Sequence, residues 1–340
     1  MSIHIGIMGA GAIGVYVGGR LAAKGEAEVM LIGRKPLADA IAEHGLTLRE
    51  FDHEDRVDAD KARIDEDVRA LSSCEVVFCC VKSGATEETA KILAGVLEPG
   101  TVVVSLQNGI RNPEILCAAL PNNPVVPAVV SFNVIIREGA VFQRTTSGPL
   151  IVESRPGGQD QRWVDALRAA GVEVDEVRPL ASEQWTKLLL NLNNAVGALS
   201  GAPTRDMILS RGYRRVIAKL LDEALDVLDG AGIRPAKFRG VPLRVMSFIM
   251  KLPTPVVRLV IRAQLRVDPE ARVSMWTDLE RGRPTEVDVL NGEIVRVAGE
   301  HGGAAPINRR IAELVHEAER AGAGSPNMSP ETLLRALEDD

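Results

Sequence analysis

Three glycines near the N-terminus have the spacing of a turn that binds a dinucleotide. Gly9, Gly11 and Gly14 follow an apolar run and precede a helical pattern, in the order strand, turn and helix that this motif requires. The first glycine makes the turn, the second lets the backbone approach a pyrophosphate, and the third packs the helix on the strand. A glycine-rich turn with a purely structural role is the alternative. The residues predicted to bind the cofactor here are Gly9, Ala10, Gly11, Ala12, Ile13 and Gly14.

The residues after the second predicted strand indicate which dinucleotide binds. NAD-binding chains usually place Asp or Glu at this point, where it accepts the 2′-hydroxyl of the ribose. This chain has Gly33, Arg34 and Lys35 instead. Because two cations favour a 2′-phosphate over a hydroxyl, we predict NADP(H) as the cofactor, with Arg34 as a phosphate contact.

A lysine and two asparagines in a strongly apolar segment are the candidate catalytic residues of the second half. Lys187, Asn191 and Asn194 stand at i, i+4 and i+7, which predicts that they share one face of one helix. Leucines surround them, so the helix is predicted to be buried. A buried ammonium in a cleft indicates a functional site. The alternative is that Lys187 extends from a helix end to water.

A second polar cluster lies further along the chain. Asp268 and Pro269 are predicted to begin a helix that carries Ser274. Thr285 is predicted to cap the next helix, with Glu286 in its first turn, where the helix dipole keeps a carboxylate ionised. Glu286 could bind a substrate hydroxyl or orient a lysine, and it could equally be a capping carboxylate on the surface.

Two further polar residues, Lys82 and Asn108, each follow a predicted central strand. Ligands of doubly wound sheets bind outside the carboxyl ends of the strands, so both residues are predicted to face the same crevice as the glycine turn. Each is a weak signal alone, because Asn-Gly is a common turn and a lysine at a strand end is often solvated.

The elements that must position these residues alternate between short β-branched runs and helical patterns up to about residue 180, and are helical afterwards. This pattern predicts an α/β fold, with an N-terminal Rossmann-type doubly wound parallel sheet and a C-terminal all-α domain. The predicted domains are 1–180, which binds NADP(H), and 181–340, the substrate and catalytic domain. Residues 131–154 are predicted to extend the sheet edge in antiparallel fashion. The predicted strands are Ile3 to Met8, Glu28 to Ile32, Glu75 to Val81, Thr101 to Ser105 and Val125 to Val130. The first helix is predicted at about Ala12 to Lys24.

Composition excludes several classes of protein. The net charge of −6 over 340 residues gives no basic footprint for nucleic acid. No apolar run is long enough to predict a membrane span. The four cysteines lack metal-ligand spacing, so no metal site is predicted. With no secretory signal pattern at the N-terminus, we expect a cytoplasmic protein.

Taken together and in this order, the motifs resemble the ketopantoate reductase (2-dehydropantoate 2-reductase) family. The resemblance covers nearly the whole chain and depends on the combination of motifs. It implies an NADPH-dependent reduction of a small 2-oxo acid, first of all 2-dehydropantoate (ketopantoate), to the 2-hydroxy acid. The matching positions are GAGAIG, Arg34, Val81-Lys82, Gln107-Asn108-Gly109, Lys187, Ser274-Met275, Thr285-Glu286 and Asn291-Gly292.

The resemblance also implies a role for each matching residue. Lys187 is implied to be the proton donor and Glu286 an active-site carboxylate. Lys82 and Asn108 are implied to lie near the nicotinamide. The residues implied to contact substrate are Asn108, Lys187, Asn191, Asn194, Ser274 and Glu286.

The chain also departs from the pattern of the family. Asn194 stands one residue closer to the lysine than the family's second asparagine, and Thr204 and Ala271 replace two others. These differences concern the identity of the 2-oxo acid more than the type of reaction.

Two other functions fit part of the sequence. A 3-hydroxyacid-type dehydrogenase also has a lysine followed by an asparagine one helical turn later. However, such enzymes usually have a Ser-Gly-Gly loop where this chain has Ser131-Phe132-Asn133. A non-catalytic NADP(H) sensor would bind the cofactor without turnover, and the presence of Lys187 and Glu286 argues against it.

The basic, apolar segment 239–266 is predicted to form two helices, divided at Pro253 and Pro255. We expect it to be a flap over the cleft or the contact of a homodimer formed through the helical domain. Binding to an anionic membrane surface and an ordinary packed helix pair are the alternatives.

Overall fold

The computed structural model describes residues 2–51, 53–58, 61, 63–154, 161–260 and 271–338, without the side chains of Gln161 and Val260. The chain divides into two compact units, Met1–Leu180 and Ala181–Asp340. Within the described ranges, no helix has the length and apolar character needed to cross a membrane.

A mainly parallel sheet forms the centre of the first unit. Its strands and those of a smaller sheet are β1 (Ile3–Met8), β2 (Ala27–Ile32), β3 (Leu46–Glu50), β4 (His53–Val57), β5 (Arg63–Asp65), β6 (Val76–Cys79), β7 (Val102–Ser105), β8 (Val125–Val130), β9 (Val134–Arg137), β10 (Val141–Arg144), β11 (Leu150–Glu153) and β12 (Val174–Val177). The large sheet has the order β12-β11-β8-β7-β6-β1-β2-β5. Ile5 and Ile7 of the central strand β1 are fully buried, as expected where both faces of a parallel sheet are covered. The predicted α/β class is confirmed.

Helices connect the parallel strands. They are α1 (Ala12–Lys24), α2 (Lys35–His44), α3 (Thr86–Ala94), α4 (Asn112–Ala119) and α5 (Gln161–Ala169). The bounds predicted for β1, β8 and the first helix match those of the structure. Two short 3₁₀ helices, Val68–Leu71 and Ser83–Ala85, lie in the loops before β6 and after it.

The predicted antiparallel extension over residues 131–154 is wrong in most of its length. β9 and β10 belong to a separate four-stranded sheet of order β4-β3-β10-β9, in which β10 runs parallel to β3. Only β11 pairs antiparallel with β8, and β12 lies beyond it. The short strand β4 (His53–Val57) is too polar to give a clear alternating signal, so the partners of this second sheet were missed.

The second unit is helical over its described residues. Its helices are α6 (Ala181–Asn191), α7 (Asn193–Ser200), α8 (Thr204–Leu209), α9 (Arg211–Gly230), α10 (Leu243–Lys251), α11 (Thr254–Val260), α12 (Ser274–Glu280), α13 (Val287–Glu300), α14 (Pro306–Ala321) and α15 (Pro330–Ala336). The prediction of an all-α second half is confirmed. The two helices predicted on either side of Pro253 are present as α10 and α11, and residues 261–266 of that segment lie outside the described ranges.

Candidate functional site

The glycine turn joins β1 to α1 and has the geometry that its sequence predicts. Gly9 has a φ of +102°, which side chains rarely allow. A Cβ atom on Gly14 would lie 2.5 Å from the carbonyl oxygen of Gly9, so α1 can pack this closely only with glycine there. At Gly11 no atom lies within 4 Å of an added Cβ. The turn is therefore tight on the protein side and open at Gly11.

The open position lies directly before the first turn of α1, which begins at Ala12. The first N–H groups of a helix have no partners within the helix and attract anions. Gly11 brings no side chain to cap them. Ala10 donates its N–H to the carbonyl oxygen of Ile32 at 2.8 Å, which ties the turn to the end of β2. The arrangement can hold a pyrophosphate against the helix N-terminus.

At the end of β2 the two predicted cations differ in their surroundings. The ammonium of Lys35 pairs with Asp39 at 3.0 Å on an exposed face of α2. Arg34 is exposed at the N-cap of the same helix, and no ion pair of Arg34 is found in the described part of the chain. Arg34 is therefore the cation available for a phosphate at this edge.

A carboxylate that the sequence analysis missed also lies at this helix start. Glu66, just after β5, accepts the backbone N–H of Lys35 at 2.9 Å through its Oε1. Because β5 pairs with β2, this edge strand carries an acidic residue to the place where NAD-binding chains hold one. The acidic run Asp65-Glu66-Asp67 was the available signal, but only the strand pairing shows where it lies.

Lys82 and Asn108 lie in adjacent loops at the same edge of the sheet as the glycine turn. They follow β6 and β7, which are neighbours, and a Cβ on Gly9 would lie 2.9 Å from the backbone nitrogen of Val81. Ser83 donates its hydroxyl to the carbonyl oxygen of Asn108 at 3.0 Å. The structure thus brings three of the predicted cofactor loops of the first unit together.

A buried amide, also missed from the sequence, holds these two loops. Asn112 donates through Nδ2 to the Ser83 hydroxyl at 3.0 Å and accepts from the Thr86 hydroxyl at 2.8 Å. Gln107 donates to the carbonyl oxygen of Val81 at 3.1 Å. Buried polar groups fully satisfied in this way make a rigid support. Nothing in the sequence near Asn112 identifies these long-range partners.

In the second unit, Lys187 lies in α6 and is half-buried. Burial disfavours its charged form and lowers the pKa of Lys187 from 10.5 to about 8. Asn191 lies one turn later on the same helix, so these two residues share a face as predicted. The lysine therefore has a pKa at which it can donate a proton near neutral pH.

The prediction that Asn194 lies on the same helix as Lys187 is wrong. α6 ends at Asn191 and α7 begins at Asn193, with a long i to i+3 contact of 3.4 Å from the N–H of Leu192 to the oxygen of Leu189. Asparagine side chains compete for nearby backbone groups, so a cluster of them favours such an interruption. Asn194 is thus carried by the second of two consecutive helices.

Ser274 is the first residue of α12 and is exposed. The prediction that its helix begins at Asp268 and Pro269 is wrong, because residues 271–273 are not helical; Asp268 and Pro269 themselves lie outside the described ranges. α12 packs against α7. A Cβ on Gly197 of α7 would lie 2.6 Å from Val273, so this glycine lets the start of α12 approach the helix that carries Asn194.

Glu286 is the N-cap residue of α13 instead of lying in its first turn as predicted. Thr285 precedes it, and its hydroxyl accepts the N–H of Val287 at 3.3 Å, so Thr285 does satisfy a helix-start donor. α13 packs against α6. The helices that carry Lys187 and Glu286 are therefore direct neighbours.

Two of the positions at which the chain departs from the family pattern lie together. Thr204, at the start of α8, donates its backbone N–H to the carbonyl oxygen of Ala271 at 2.8 Å. Ala271 comes three residues before Ser274. The side chains at both positions are shorter than asparagine and offer at most one hydroxyl in place of two amides.

Comparison with known proteins matches both units to the same protein family. The family model "Ketopantoate reductase PanE/ApbA" matches residues 5–157, and its C-terminal counterpart matches residues 180–319. The 2-dehydropantoate 2-reductase of Halobacterium salinarum is 28% identical over 325 residues, which cover 94% of this chain and all of the relative. That of Pyrococcus abyssi is 29% identical over 311 residues, 90% of this chain and 94% of the relative.

Solved structures show the same fold. A PanE/ApbA family ketopantoate reductase from Ralstonia eutropha JMP134 is 30% identical, with a TM-score of 0.78 over 94% of this chain and 99% of that one. A D-mandelate dehydrogenase solved with NADH and anilino(oxo)acetate is 22% identical, with a TM-score of 0.73 over 94% of this chain and 99% of its own. The two family models together span most of the chain, and the protein belongs to the ketopantoate reductase PanE/ApbA family.

Proposed function

We propose that this protein uses NADPH to reduce a small 2-oxo acid to the 2-hydroxy acid, with ketopantoate as the first candidate substrate and pantoate as its product. Family membership supports the reaction class. One observation carries the proposal for this chain: the pKa of Lys187 is lowered to about 8 on a helix that packs against the helix capped by Glu286. A general acid works best when its pKa lies near the operating pH.

The first unit fits NADP(H) as the cofactor. The open space at Gly11 suits a pyrophosphate, and the exposed Arg34 suits a 2′-phosphate. When bound, the cofactor supplies the hydride. The residues proposed to hold it are Gly9, Ala10, Gly11, Ala12, Ile13, Gly14, Arg34, Lys82 and Asn108.

The second unit supplies the proton and most of the polar contacts. Lys187, as an ammonium, polarises the C2 carbonyl of the substrate and then donates its proton to the alkoxide oxygen. Glu286 orients the lysine or accepts a substrate hydroxyl. The residues proposed to hydrogen-bond the substrate are Asn108, Asn191, Asn194 and Ser274.

A bulkier or less hydroxylated 2-oxo acid is the second candidate substrate. The adjacent positions Thr204 and Ala271 lack the amides that the family pattern places there. Each missing hydrogen bond would weaken binding of a hydroxylated substrate by about 0.5–1.5 kcal/mol. The fold is also shared with an enzyme that binds anilino(oxo)acetate, so the fold alone does not select ketopantoate.

The test is a comparison of kcat/KM for NADPH oxidation with ketopantoate, with 2-oxo acids lacking its 4-hydroxyl, and with an aryl 2-oxo acid. We expect turnover of at least one 2-oxo acid, with NADPH used in preference to NADH. NADPH binding without any turnover would replace this proposal with the sensor. Oxidation of a 3-hydroxy acid instead would favour the 3-hydroxyacid-type dehydrogenase.

The homodimer through the helical domain, like the cytoplasmic location, stays a prediction. Two helices of the second unit expose apolar side chains, Val245 and Phe248 on α10 and Leu259 on α11, which is a feature of contact surfaces. Sedimentation velocity of the wild type and of Phe248→Glu checks the dimer. A monomeric wild type at all accessible concentrations contradicts it.

A further inference from the structure

A carboxylate and a histidine of α14 contact the start of α13. Oε1 of Glu319 accepts the backbone N–H of Thr285 at 2.7 Å. Its other oxygen, Oε2, lies 2.7 Å from Nδ1 of His316, one turn earlier on α14. The Nε2 atom of His316 lies 2.9 Å from Oδ1 of Asp288, in the first turn of α13. These contacts form a chain from α14 to both sides of the α13 start.

The chemistry of this cluster favours a charged histidine. Both ring nitrogens face carboxylate oxygens, and only an imidazolium can donate a hydrogen bond from each nitrogen. Burial disfavours that form, but the hydrogen bonds to Glu319 and Asp288 outweigh it and raise the pKa of His316. Burial likewise opposes the charge of Glu319, while the Thr285 N–H and His316 lower the pKa of that carboxyl. The result is a bridge of alternating charge between two helices.

The bridge holds the backbone on both sides of Glu286. Thr285 is held by Glu319 at its N–H, and it in turn accepts the N–H of Val287 through its hydroxyl. Glu286 lies between Thr285 and Val287. Glu286, with a φ of −101° and a ψ of 23°, is therefore flanked by Thr285 and Asp288, which both contact α14.

We propose that Glu319 and His316 are positioning residues that hold Glu286 at the start of α13 for the reaction. The proposal rests on the proposed function, in which Glu286 is an active-site carboxylate. Neither α14 residue needs to touch the substrate or the cofactor, because both act through Thr285 and Asp288. A displacement of about 1 Å in a catalytic group can cost about a hundredfold in rate.

The test is a double-mutant cycle on kcat with the 2-oxo acid turned over best by the wild type. Glu319→Ala and His316→Asn are each expected to lower kcat about ten- to a hundredfold, with an unchanged Kd for NADPH. Glu319→Gln keeps an acceptor for the Thr285 N–H and should recover much of the loss. In a Glu286→Ala background, Glu319→Ala should have no further effect on kcat, because the group that it positions is gone.

The matched control is His301→Asn. His301 is the C-cap residue of α13, and within the described residues its Nδ1 forms a hydrogen bond with the carbonyl oxygen of Val297 of the same helix, so kcat should stay at the wild-type value. The proposal is overturned if folded Glu319→Ala retains wild-type kcat, or if it lowers kcat by the same factor with and without Glu286. A wild type that reduces no 2-oxo acid overturns the proposed function first, and this inference with it.

Discussion

The glycine turn of the first unit is built from residues that are neighbours in sequence, whereas the proposed catalytic residues of the second unit come from separate helices. Gly9, Gly11 and Gly14 define their turn by backbone conformation and close approach. The helices that carry Lys187 and Glu286 are neighbours because α6 packs against α13. The glycine turn therefore depends on local backbone geometry, and the proposed catalytic site depends on how the helices of the second unit pack.

This difference predicts different costs of substitution in the two regions. A change in the turn should affect cofactor affinity or folding, because its residues work by shape. A change at the helical site should affect the rate, because its residues work by charge and proton position.

The largest effect is expected for Lys187→Ala. Loss of the proposed proton donor should lower kcat about 10²–10⁴-fold, while the Kd for NADPH, measured by fluorescence titration, changes little. Lys187→Met keeps the length of the side chain and removes the cost of a half-buried charge, so it should lose as much activity while raising the unfolding temperature. A variant at Lys187 with nearly wild-type kcat would show that another group donates the proton.

The next largest effect is expected at the end of β2. Arg34→Ala should remove a charge-assisted contact of about 1.5–3 kcal/mol, which weakens NADPH binding about ten- to a hundredfold and leaves NADH binding nearly unchanged. Titration of both cofactors measures this directly. Equal affinities of the wild type for NADPH and NADH would contradict the assignment of Arg34.

Glu66 provides the matched variant of opposite charge. Its carboxylate lies on the Lys35 N–H, close to the proposed phosphate position, but it is exposed and therefore strongly screened. Glu66→Gln should tighten NADPH binding only about two- to fivefold. Weaker binding of NADPH in Glu66→Gln would mean that this residue contacts the ribose instead of repelling the phosphate.

Substitutions at two glycines of the turn distinguish a packing role from contact with the cofactor. Gly14→Ala places a Cβ 2.5 Å from the Gly9 oxygen, so we expect a loss of stability of about 1–3 kcal/mol together with weaker binding. Gly11→Ala meets no protein atom within 4 Å and should unfold at the wild-type temperature while binding NADPH about tenfold more weakly. Thermal unfolding and cofactor titration of the pair distinguish the two roles, and unchanged binding by Gly11→Ala would place the pyrophosphate elsewhere.

The parts of the fold that could be predicted are those set by local pattern. The bounds of β1, α1 and β8 follow from apolar runs and glycine punctuation, and the structure reproduces them. The second sheet could not be predicted, because β10 pairs with β3 across most of the unit. Strand partners so far apart leave no signal in either segment alone.

The candidate site residues also differ in whether a local sequence pattern indicates them. Lys187 could be selected as a candidate because a cation stands out in an apolar helix. The interruption before Asn193 and the place of Glu286 at the N-cap depend on backbone details that periodicity does not resolve. Glu66 and Glu319 were missed because each acts on a backbone N–H far away in sequence, and no motif records such a contact.

The pH dependence of the reaction follows from the pKa of about 8 for Lys187. The ammonium of Lys187 is the active form in the proposed reaction, so kcat/KM should be constant below this pKa, fall about twofold by pH 8 and then fall about tenfold per pH unit. The unfolded chain, in which the lysine has its usual pKa of 10.5, binds more protons between pH 8 and 10.5. The Lys187 contribution to stability should therefore increase with pH in that window, and this increase should be absent in Lys187→Met. Measurements of kcat/KM and of the free energy of unfolding over the same pH range test the expected fall in rate and the expected rise in stability together. If kcat/KM stayed flat to pH 10 in a protein that Lys187→Ala inactivates, the lysine would have to remain charged in its helix, and burial could not be what tunes it.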